Sequence, residues 1–347
     1  MTGLVLEGGG AKGAYQAGAY FALKKCHVKI NAVVGTSIGS FNAALIASHE
    51  EEKMKNLWKD TSIESILGLD EEMASQILNK KITKENMEWS FKTIYNIFKD
   101  GGLDISNYKA LVRNNVNEEK LRRSKINFGL TTLKRDGLKP VELFTENIPS
   151  GLVHEYIVAS SYLPIFKKQK LIDDSYYLDG GFYNLSPVNM LERIGCDKIY
   201  IVNIKGVGFR QPKKKSGAQI IEIKPSSDLG SIVLFDKESN EENMKRGYLD
   251  TLKVLKKLDG FEYTFKKRPY RQYKHFVEYI DNKLYNATEV LVSKEGIKNV
   301  VIGAVEHALK KANQKDLTVY DIKKAILYIN SLNKRGIIYD FIRNLNI

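Results

Sequence analysis

Length, composition and charge limit the classes of protein that this chain can represent. Its 347 residues, 43% of them hydrophobic, suffice for one large packed domain with an appendage and exclude disorder on a large scale. The net charge is +13, and residues 205–347 carry 28 Lys and Arg against 17 Asp and Glu. This bias indicates attraction to an anionic surface, either lipid headgroups or nucleic acid, or else an ordinary lysine-rich solvated surface.

The cysteines and the N-terminal residues further restrict the kinds of site and the cellular location that we expect. Cys26 and Cys196 have neither a CxxC context nor a histidine at ligand spacing, so we expect reduced thiols and no metal site. No basic leader precedes the first apolar run, and no stretch approaches the roughly 18 apolar residues of a spanning helix. We therefore expect a cytoplasmic protein that binds peripherally to the inner membrane face, unless it is exported without an N-terminal signal.

The first fifty residues alternate between strand and helix patterns. Apolar runs at Leu4–Leu6 and Ala32–Val34 predict two strands, and Ala14–Lys25 and Ile38–Ser48 predict the helices that follow them. The second helix is apolar nearly all round, as expected of a helix buried against a sheet. Two strand–loop–helix units in succession predict a parallel sheet with helices on its faces.

The pattern changes over residues 50–125, where charged, helix-favouring segments replace the apolar runs. They predict a helical insertion, which acts either as a lid over a site or as a solvated structural subdomain. The segments are Glu51–Asp60, Asp70–Lys80 and Lys84–Lys99.

The sheet pattern resumes after the insertion. Alternating apolar residues around an Asp-Gly turn predict a hairpin of residues 125–133 and 140–144. Ile157–Phe166 predicts a helix that is stopped by Pro164. Further apolar, β-rich runs occupy residues 176–178, 198–204 and 220–223.

The last part of the chain is basic and largely helical. Glu241–Leu258 predicts a long amphipathic helix that packs on the sheet or lies on a membrane surface. Lysine, arginine and tyrosine then alternate over residues 266–274. We predict a first domain of residues 1–258, containing the insertion at about 50–125, and a basic, mainly helical region of residues 259–347.

A glycine-rich segment follows the first predicted strand and opens a helix. Glycines allow close approach of the backbone to a ligand and direct N–H groups at negative charge. That charge is a pyrophosphate in a dinucleotide-binding protein and a transient oxyanion in a hydrolase. The segment comprises Gly8, Gly9, Gly10, Ala11, Lys12 and Gly13.

A serine stands at the junction of the second strand and its helix. Residues 35–39 read GTSIG, a GxSxG pattern between a strand and a helix, which is the context that a nucleophile elbow requires. A strained turn there lifts the hydroxyl of Ser37 above the sheet, and the small Gly35 and Gly39 let a substrate approach it.

An aspartate followed by two glycines completes the set of motifs. Alone, Asp179 before Gly180 and Gly181 is most often a turn. Together, GGGAKG, GTSIG, an Ala-Ser-Ser helix ending in Pro164 and DGG with a following Asn and Pro resemble the patatin-like phospholipase family over residues 3–205. Lys12 stands where an arginine is common, and lysine lacks the planar fork of a guanidinium.

The resemblance implies a fold and a mechanism. The fold is α/β, with three layers and a mostly parallel central sheet flanked by helices. The mechanism is lipid acyl hydrolysis by a dyad of Ser37 and Asp179 without histidine, with the glycine-rich loop as oxyanion hole and no cofactor.

The proposed dyad makes chemical demands of its own. A serine hydroxyl needs a base during attack, and an aspartate of ordinary pKa near 3.9 is weak unless it is held close and partly desolvated. Acylation of Ser37, loss of an alcohol or lysolipid, and hydrolysis by water would follow. His275 and His307, which follow the acid, lack the glycine-rich loop of a hydrolase triad. We expect none of the five histidines to be catalytic.

Other functions stay open at this point. Within the acyl hydrolases, the substrate is a phospholipid, as in a phospholipase A or lysophospholipase, or a neutral lipid that an esterase or acyltransferase uses. A dinucleotide-binding oxidoreductase needs an acidic residue about 20 positions beyond the loop, and Val28–Gly35 contains none. A non-catalytic binder of lipid or nucleic acid would use residues 266–274.

As partners of the chain we expect a lipid substrate and an anionic membrane surface, and no nucleic acid. The oligomeric state stays open.

Overall fold

The computed structural model describes residues 1–67, 101–212, 217–232 and 235–347. The chain forms two compact units, Met1–Tyr248 and Leu249–Ile347. The division falls inside the helix Lys237–Val254, upstream of the boundary predicted after residue 258. The helices predicted at residues 70–80 and 84–99 lie outside the described residues.

A mostly parallel sheet is the centre of the first unit. In the described ranges its strands are β1 (Thr2–Leu6), β2 (Ala32–Thr36), β3 (Asn127–Lys134), β4 (Lys139–Phe144), β5 (Tyr177–Leu178), β6 (Lys198–Val202) and β7 (Gln219–Ile223). Their order is β4-β3-β2-β1-β6-β7, with β5 also paired to β3. Only β4 and β5 run antiparallel to their neighbour among these strands. The predicted parallel sheet and hairpin are confirmed.

Helices cover both faces of this sheet. Val5, Ala32 and Val34 pack in one cluster with Val188 and Met190 of a short helix. Successive side chains of a strand point to opposite faces, so the equally buried Leu4, Leu6 and Val33 face the other layer. The helices are α1 (Gly13–Lys25), α2 (Ile38–Ala47), α3 (Glu51–Asp60), α4 (Ile63–Leu67), α5 (Ser106–Asn115), α6 (Glu118–Arg123), α7 (Val153–Ser160), α8 (Val188–Arg193) and α9 (Lys237–Val254). The predicted three-layer α/β fold is confirmed.

Helix α7 ends before Pro164, as the sequence predicts. Its last residue is Ser160, and it begins at Val153 and not at the predicted Ile157. A proline disfavours helical backbone in the residue before it, so Leu163 could not extend the helix. The chain instead turns, and the carbonyl of Tyr162 accepts a hydrogen bond from the backbone N–H of Asp179 at 2.8 Å.

The sheet also determines where the motifs meet. Strands β1 and β2 are parallel neighbours, with Leu6 opposite Gly35. The glycine-rich loop leaves the end of β1 and Ser37 leaves the end of β2, so both lie at the carboxyl edge of the sheet. This is the edge at which open α/β sheets bind their ligands.

The second unit has its own core. Its small sheet consists of β8 (Leu258–Asp259), β9 (Thr264–Lys266) and β10 (Val319–Tyr320), and its helices are α10 (Tyr270–Phe276), α11 (Asn282–Val292), α12 (Ile297–Lys311), α13 (Ile322–Ser331) and α14 (Ile337–Arg343). Buried apolar residues of α12, α13 and α14 form the centre of this core. Within the described part of the chain, no helix combines the length and apolarity needed to cross a membrane.

Candidate active site

Ser37 occupies a strained backbone turn between β2 and α2. Its φ of 55° and ψ of −129° are unusual for a residue with a side chain. The turn depends on the two flanking glycines. A Cβ on Gly35 would lie 2.1 Å from the carbonyl oxygen of Gly39, and a Cβ on Gly39 would lie 2.2 Å from that of Leu6. The GxSxG spacing therefore produces the sharp elbow that the sequence predicts.

Ser160, at the end of α7, holds this elbow from the neighbouring layer. Its hydroxyl accepts a hydrogen bond from the backbone N–H of Ser37 at 2.9 Å and donates one to the carbonyl of Thr131 at 2.7 Å. Sequence reasoning noted Ser160 only as part of the Ala-Ser-Ser pattern. Because these partners are far apart in the chain, only the fold reveals that Ser160 fixes the Ser37 backbone.

Asp179 is buried beside the elbow. Its carboxylate accepts the backbone N–H of Gly181 at 2.7 Å, and the side chain of Ser37 lies close enough to lower its pKa. Burial raises the pKa of Asp179 to about 6, against the lowering effect of these two groups. Gly180 permits the close approach, because a Cβ there would lie 2.2 Å from the carbonyl oxygen of Thr131.

The glycine-rich loop lies against Ser37, but only some of its backbone N–H groups are free to bind a ligand. A Cβ on Gly8 would lie 3.3 Å from the Cβ of Ser37. Hydrogen bonds to backbone carbonyls already occupy the N–H groups of Gly8, Ala11, Lys12 and Gly13. The amides of Gly9 and Gly10 bond no group in the described part of the chain.

A small, largely apolar cavity opens beside Ser37. Its volume is about 110 Å³, and Gly10 and Ser37 form part of its wall. The hydroxyls of Tyr108 and Ser161 lie 2.9 Å apart and supply polar groups in this wall. Burial, and the negative charge of Asp179, raise the pKa of Tyr108, which keeps its hydroxyl neutral. The apolar lining consists of Ile38, Ile66, Leu163, Ile165, Phe166, Ile232 and Phe235.

No histidine lines this cavity, although all five lie in the described residues. His154, for example, bonds the carbonyl of Val116 through its Nε2 atom at 2.9 Å, and His275 pairs with Glu278. The buried carboxylate of Asp179, by contrast, interacts with the Ser37 side chain. The elbow, the carboxylate and the glycine-rich loop thus lie together at the carboxyl edge of an α/β sheet.

Comparison with known proteins identifies the family. A sequence model described as "Patatin-like phospholipase" matches residues 4–191, which is more than half of the chain. The chain belongs to the patatin-like phospholipase family, as the resemblance of its motifs predicts.

The curated relatives are much longer fungal proteins. The lysophospholipases nte1 of Aspergillus terreus and NTE1 of Debaryomyces hansenii are 24% and 27% identical to this chain over 61% of its length. The lysophospholipase NTE1 of Candida glabrata is 26% identical over the same share. The match spans 12% of the first two relatives and 11% of the third.

Two bacterial proteins of known structure align with most of this chain. VipD from Legionella pneumophila aligns over 95% of this chain and 80% of its own, with a TM-score of 0.46 and 15% identity. ExoU, known from Pseudomonas aeruginosa, aligns over 99% and 72%, with a TM-score of 0.32 and 14% identity. At this level of similarity neither structure informs the function of this chain.

Proposed function

We propose that the chain is a serine acyl hydrolase that releases fatty acid from phospholipids or lysophospholipids. Ser37 is the nucleophile and Asp179 its base. The amides of Gly9 and Gly10 are the donors of the oxyanion hole.

The proposed reaction has two halves that use the same groups. In the first, the Ser37 oxygen attacks the ester carbonyl while its proton passes to the Asp179 carboxylate. The tetrahedral oxyanion is held by backbone N–H groups, and the leaving alkoxide takes the proton from Asp179 as the C–O bond breaks. In the second, Asp179 removes a proton from water, which attacks the acyl carbonyl. The bond between the Ser37 oxygen and the acyl carbon then breaks, the serine oxygen takes the proton back from Asp179, and the fatty acid leaves.

The observation that carries this proposal is the burial of the Asp179 carboxylate beside Ser37, whose side chain is close enough to lower the pKa of that carboxylate. A general base works best when its pKa lies near the operating pH, and burial raises the pKa of Asp179 to about 6. An ordinary turn aspartate, solvated and with a pKa near 4, would be a much weaker base.

The surroundings of Ser37 support a lipid acyl ester as substrate. The cavity beside Ser37 is lined mainly by apolar side chains, which suits the hydrocarbon of an acyl group. The curated relatives are named lysophospholipases, which favours a phospholipid or lysophospholipid over a neutral ester. The excess of lysine and arginine over residues 205–347 is consistent with an anionic lipid surface.

Fatty-acid release from lysophosphatidylcholine micelles and from phosphatidylglycerol vesicles tests the proposal. We expect Ser37→Ala and Asp179→Asn each to lower kcat by about 10³-fold or more, as loss of a nucleophile or its base does in other serine hydrolases. Asp136→Asn and Ser150→Ala are matched controls, because both residues are exposed and precede a glycine. Full release by Asp179→Asn would refute the dyad, and release from triacylglycerol alone would assign the enzyme to neutral lipids.

A further inference from the structure

Exposed apolar side chains of the first unit are concentrated around Ser37. Val207 is 84% exposed, Phe209 67% and Phe182 42%. Leu163 and Ile232 are also exposed, and both line the cavity that begins at Ser37. Large apolar side chains grouped on a surface mark sites that contact another molecule or a membrane.

Val207 and Phe209 belong to residues 204–212, here called the tip segment, which follow β6. On one side this segment is bound to the Asp179 turn. The backbone N–H of Phe209 donates to the carbonyl of Gly181 at 2.8 Å, and the carbonyl of Phe209 accepts the N–H of Leu185 at 2.6 Å. Phe182 follows Gly181 directly, so its exposed ring stands beside the tip segment.

On its other side the tip segment is bound to the glycine-rich loop. A Cβ on Gly206 would lie 1.9 Å from the carbonyl oxygen of Gly8, so the two backbones are in close contact. Arg210 donates to the buried carboxylate of Glu7 through Nη2 at 3.1 Å and through Nε at 3.3 Å. Glu7 immediately precedes the glycine-rich loop. The backbone of the tip segment is therefore fixed at both loops of the active site, while its apolar side chains face solvent.

Cationic residues flank these apolar side chains. Lys205 is exposed and Lys12 partly exposed, and neither has an acidic partner in the described ranges. In the sequence, Lys213, Lys214 and Lys215 follow the tip segment. Apolar side chains bordered by lysine are typical of surfaces that enter the boundary between the acyl chains and the headgroups of an anionic bilayer.

We propose that the tip segment inserts Val207 and Phe209 into an anionic phospholipid bilayer and so places the opening of the Ser37 cavity on the lipid surface. This inference rests on the proposed function, because a lipid hydrolase must draw its substrate from such a surface. The bilayer is favoured over a protein partner because the apolar residues surround the catalytic opening itself. A protein covering them would obstruct the entry of lipid.

Sedimentation with sucrose-loaded vesicles tests the insertion without reference to catalysis. The full chain is compared with the double variant Val207→Ser/Phe209→Ser and with Leu138→Ser, a control that is 63% exposed in the β3–β4 turn. On phosphatidylcholine vesicles containing phosphatidylglycerol, we expect the double variant to bind about 30-fold more weakly, as the loss of two partly inserted apolar side chains predicts. The control should bind like the unaltered chain.

Hydrolysis measurements separate this inference from the proposed function. The double variant should lose vesicle hydrolysis in proportion to binding but keep its rate on a short-chain ester dissolved as monomers. Equal vesicle binding by the double variant and the unaltered chain would overturn the inference, as would binding that ignores phosphatidylglycerol. Failure of the unaltered chain to hydrolyse the monomeric ester would instead refute the proposed function, while the sedimentation result would still test the insertion.

Discussion

Replacing Asp179 by asparagine should stabilise the protein at neutral and alkaline pH while it abolishes catalysis. Asparagine keeps an oxygen that can accept the N–H of Gly181, but it removes the charge that burial penalises. Burial of Asp179, which is only 4% exposed, raises its pKa from 3.8 to about 6. Each pKa unit corresponds to about 1.4 kcal/mol, so the full penalty for the ionised group is about 3 kcal/mol.

The sign and the pH range follow from linkage. A carboxyl group whose pKa is higher in the folded protein than in the unfolded chain favours folding at low pH, and this contribution is lost as the pH rises through about 6. The unfolding free energy of Asp179→Asn, relative to that of the unaltered protein, should therefore increase by about 2 kcal/mol between pH 4 and pH 8.

Urea unfolding followed by tryptophan fluorescence measures this difference. Trp58 is fully buried in the first unit, and the second tryptophan also precedes Tyr248 in the sequence. Unfolding curves at pH 4, 6 and 8 give the free energies of both proteins. A difference that does not change with pH would show that folding leaves the pKa of this carboxyl group unshifted, and a less stable variant at pH 8 would show that the folded protein stabilises the carboxylate. The carboxylate would then be a structural turn group and not a base poised near neutrality.

Three further predictions concern activity. The kcat/KM for a neutral ester should fall tenfold per pH unit below about pH 6, because the protonated Asp179 cannot accept the proton of Ser37. A pH profile that stays flat down to pH 4 would exclude Asp179 as the base. Gly10→Ala should lower kcat at least 100-fold, because its φ is +56° and a Cβ would lie 1.9 Å from the carbonyl oxygen of Ile232. Ser160→Ala should lower kcat about 10- to 100-fold with KM unchanged and cost about 1–3 kcal/mol in urea unfolding, because it leaves the N–H of Ser37 unpaired.

The glycine and serine variants have controls within the chain. Gly151→Ala tests a positive φ of +84° where a Cβ would meet nothing within 4 Å, so it should lose about 1 kcal/mol of stability and no activity. Equal loss of activity in Gly10→Ala and Gly151→Ala would show that backbone strain, and not the oxyanion donors, explains the defect. For Ser160→Ala, an unchanged kcat would remove Ser160 from the group that positions the elbow.

The backbone features around the candidate site that the sequence predicted are those set by local geometry. The GxSxG spacing dictates a tight strand-to-helix turn at Ser37, because only glycine fits at positions 35 and 39. The apolar runs of β1 and β2 made a parallel pair foreseeable, and with it the common edge at which both loops lie.

What the sequence could not provide depends on contacts between distant segments. Ser160 reaches Ser37 across 123 positions of the chain, and no local pattern marks such a bond. Likewise, six consecutive residues of the glycine-rich loop looked equivalent as donors. The fold distinguishes Gly9 and Gly10 because the N–H groups of their neighbours are already hydrogen-bonded. The N–H of Gly8 donates to the carbonyl of Leu185, and that of Ala11 donates to the carbonyl of Ile232.

Covalent labelling by a fluorophosphonate, located by mass spectrometry of the digested protein, tests most directly whether the Ser37 hydroxyl is activated by Asp179. At pH 8 a single adduct should form on Ser37. Its rate should fall at least 100-fold in Asp179→Asn and stay unchanged in the exposed-aspartate control Asp136→Asn. Labelling of Ser37 at the same rate in both variants, or an adduct confined to another residue, would contradict the account.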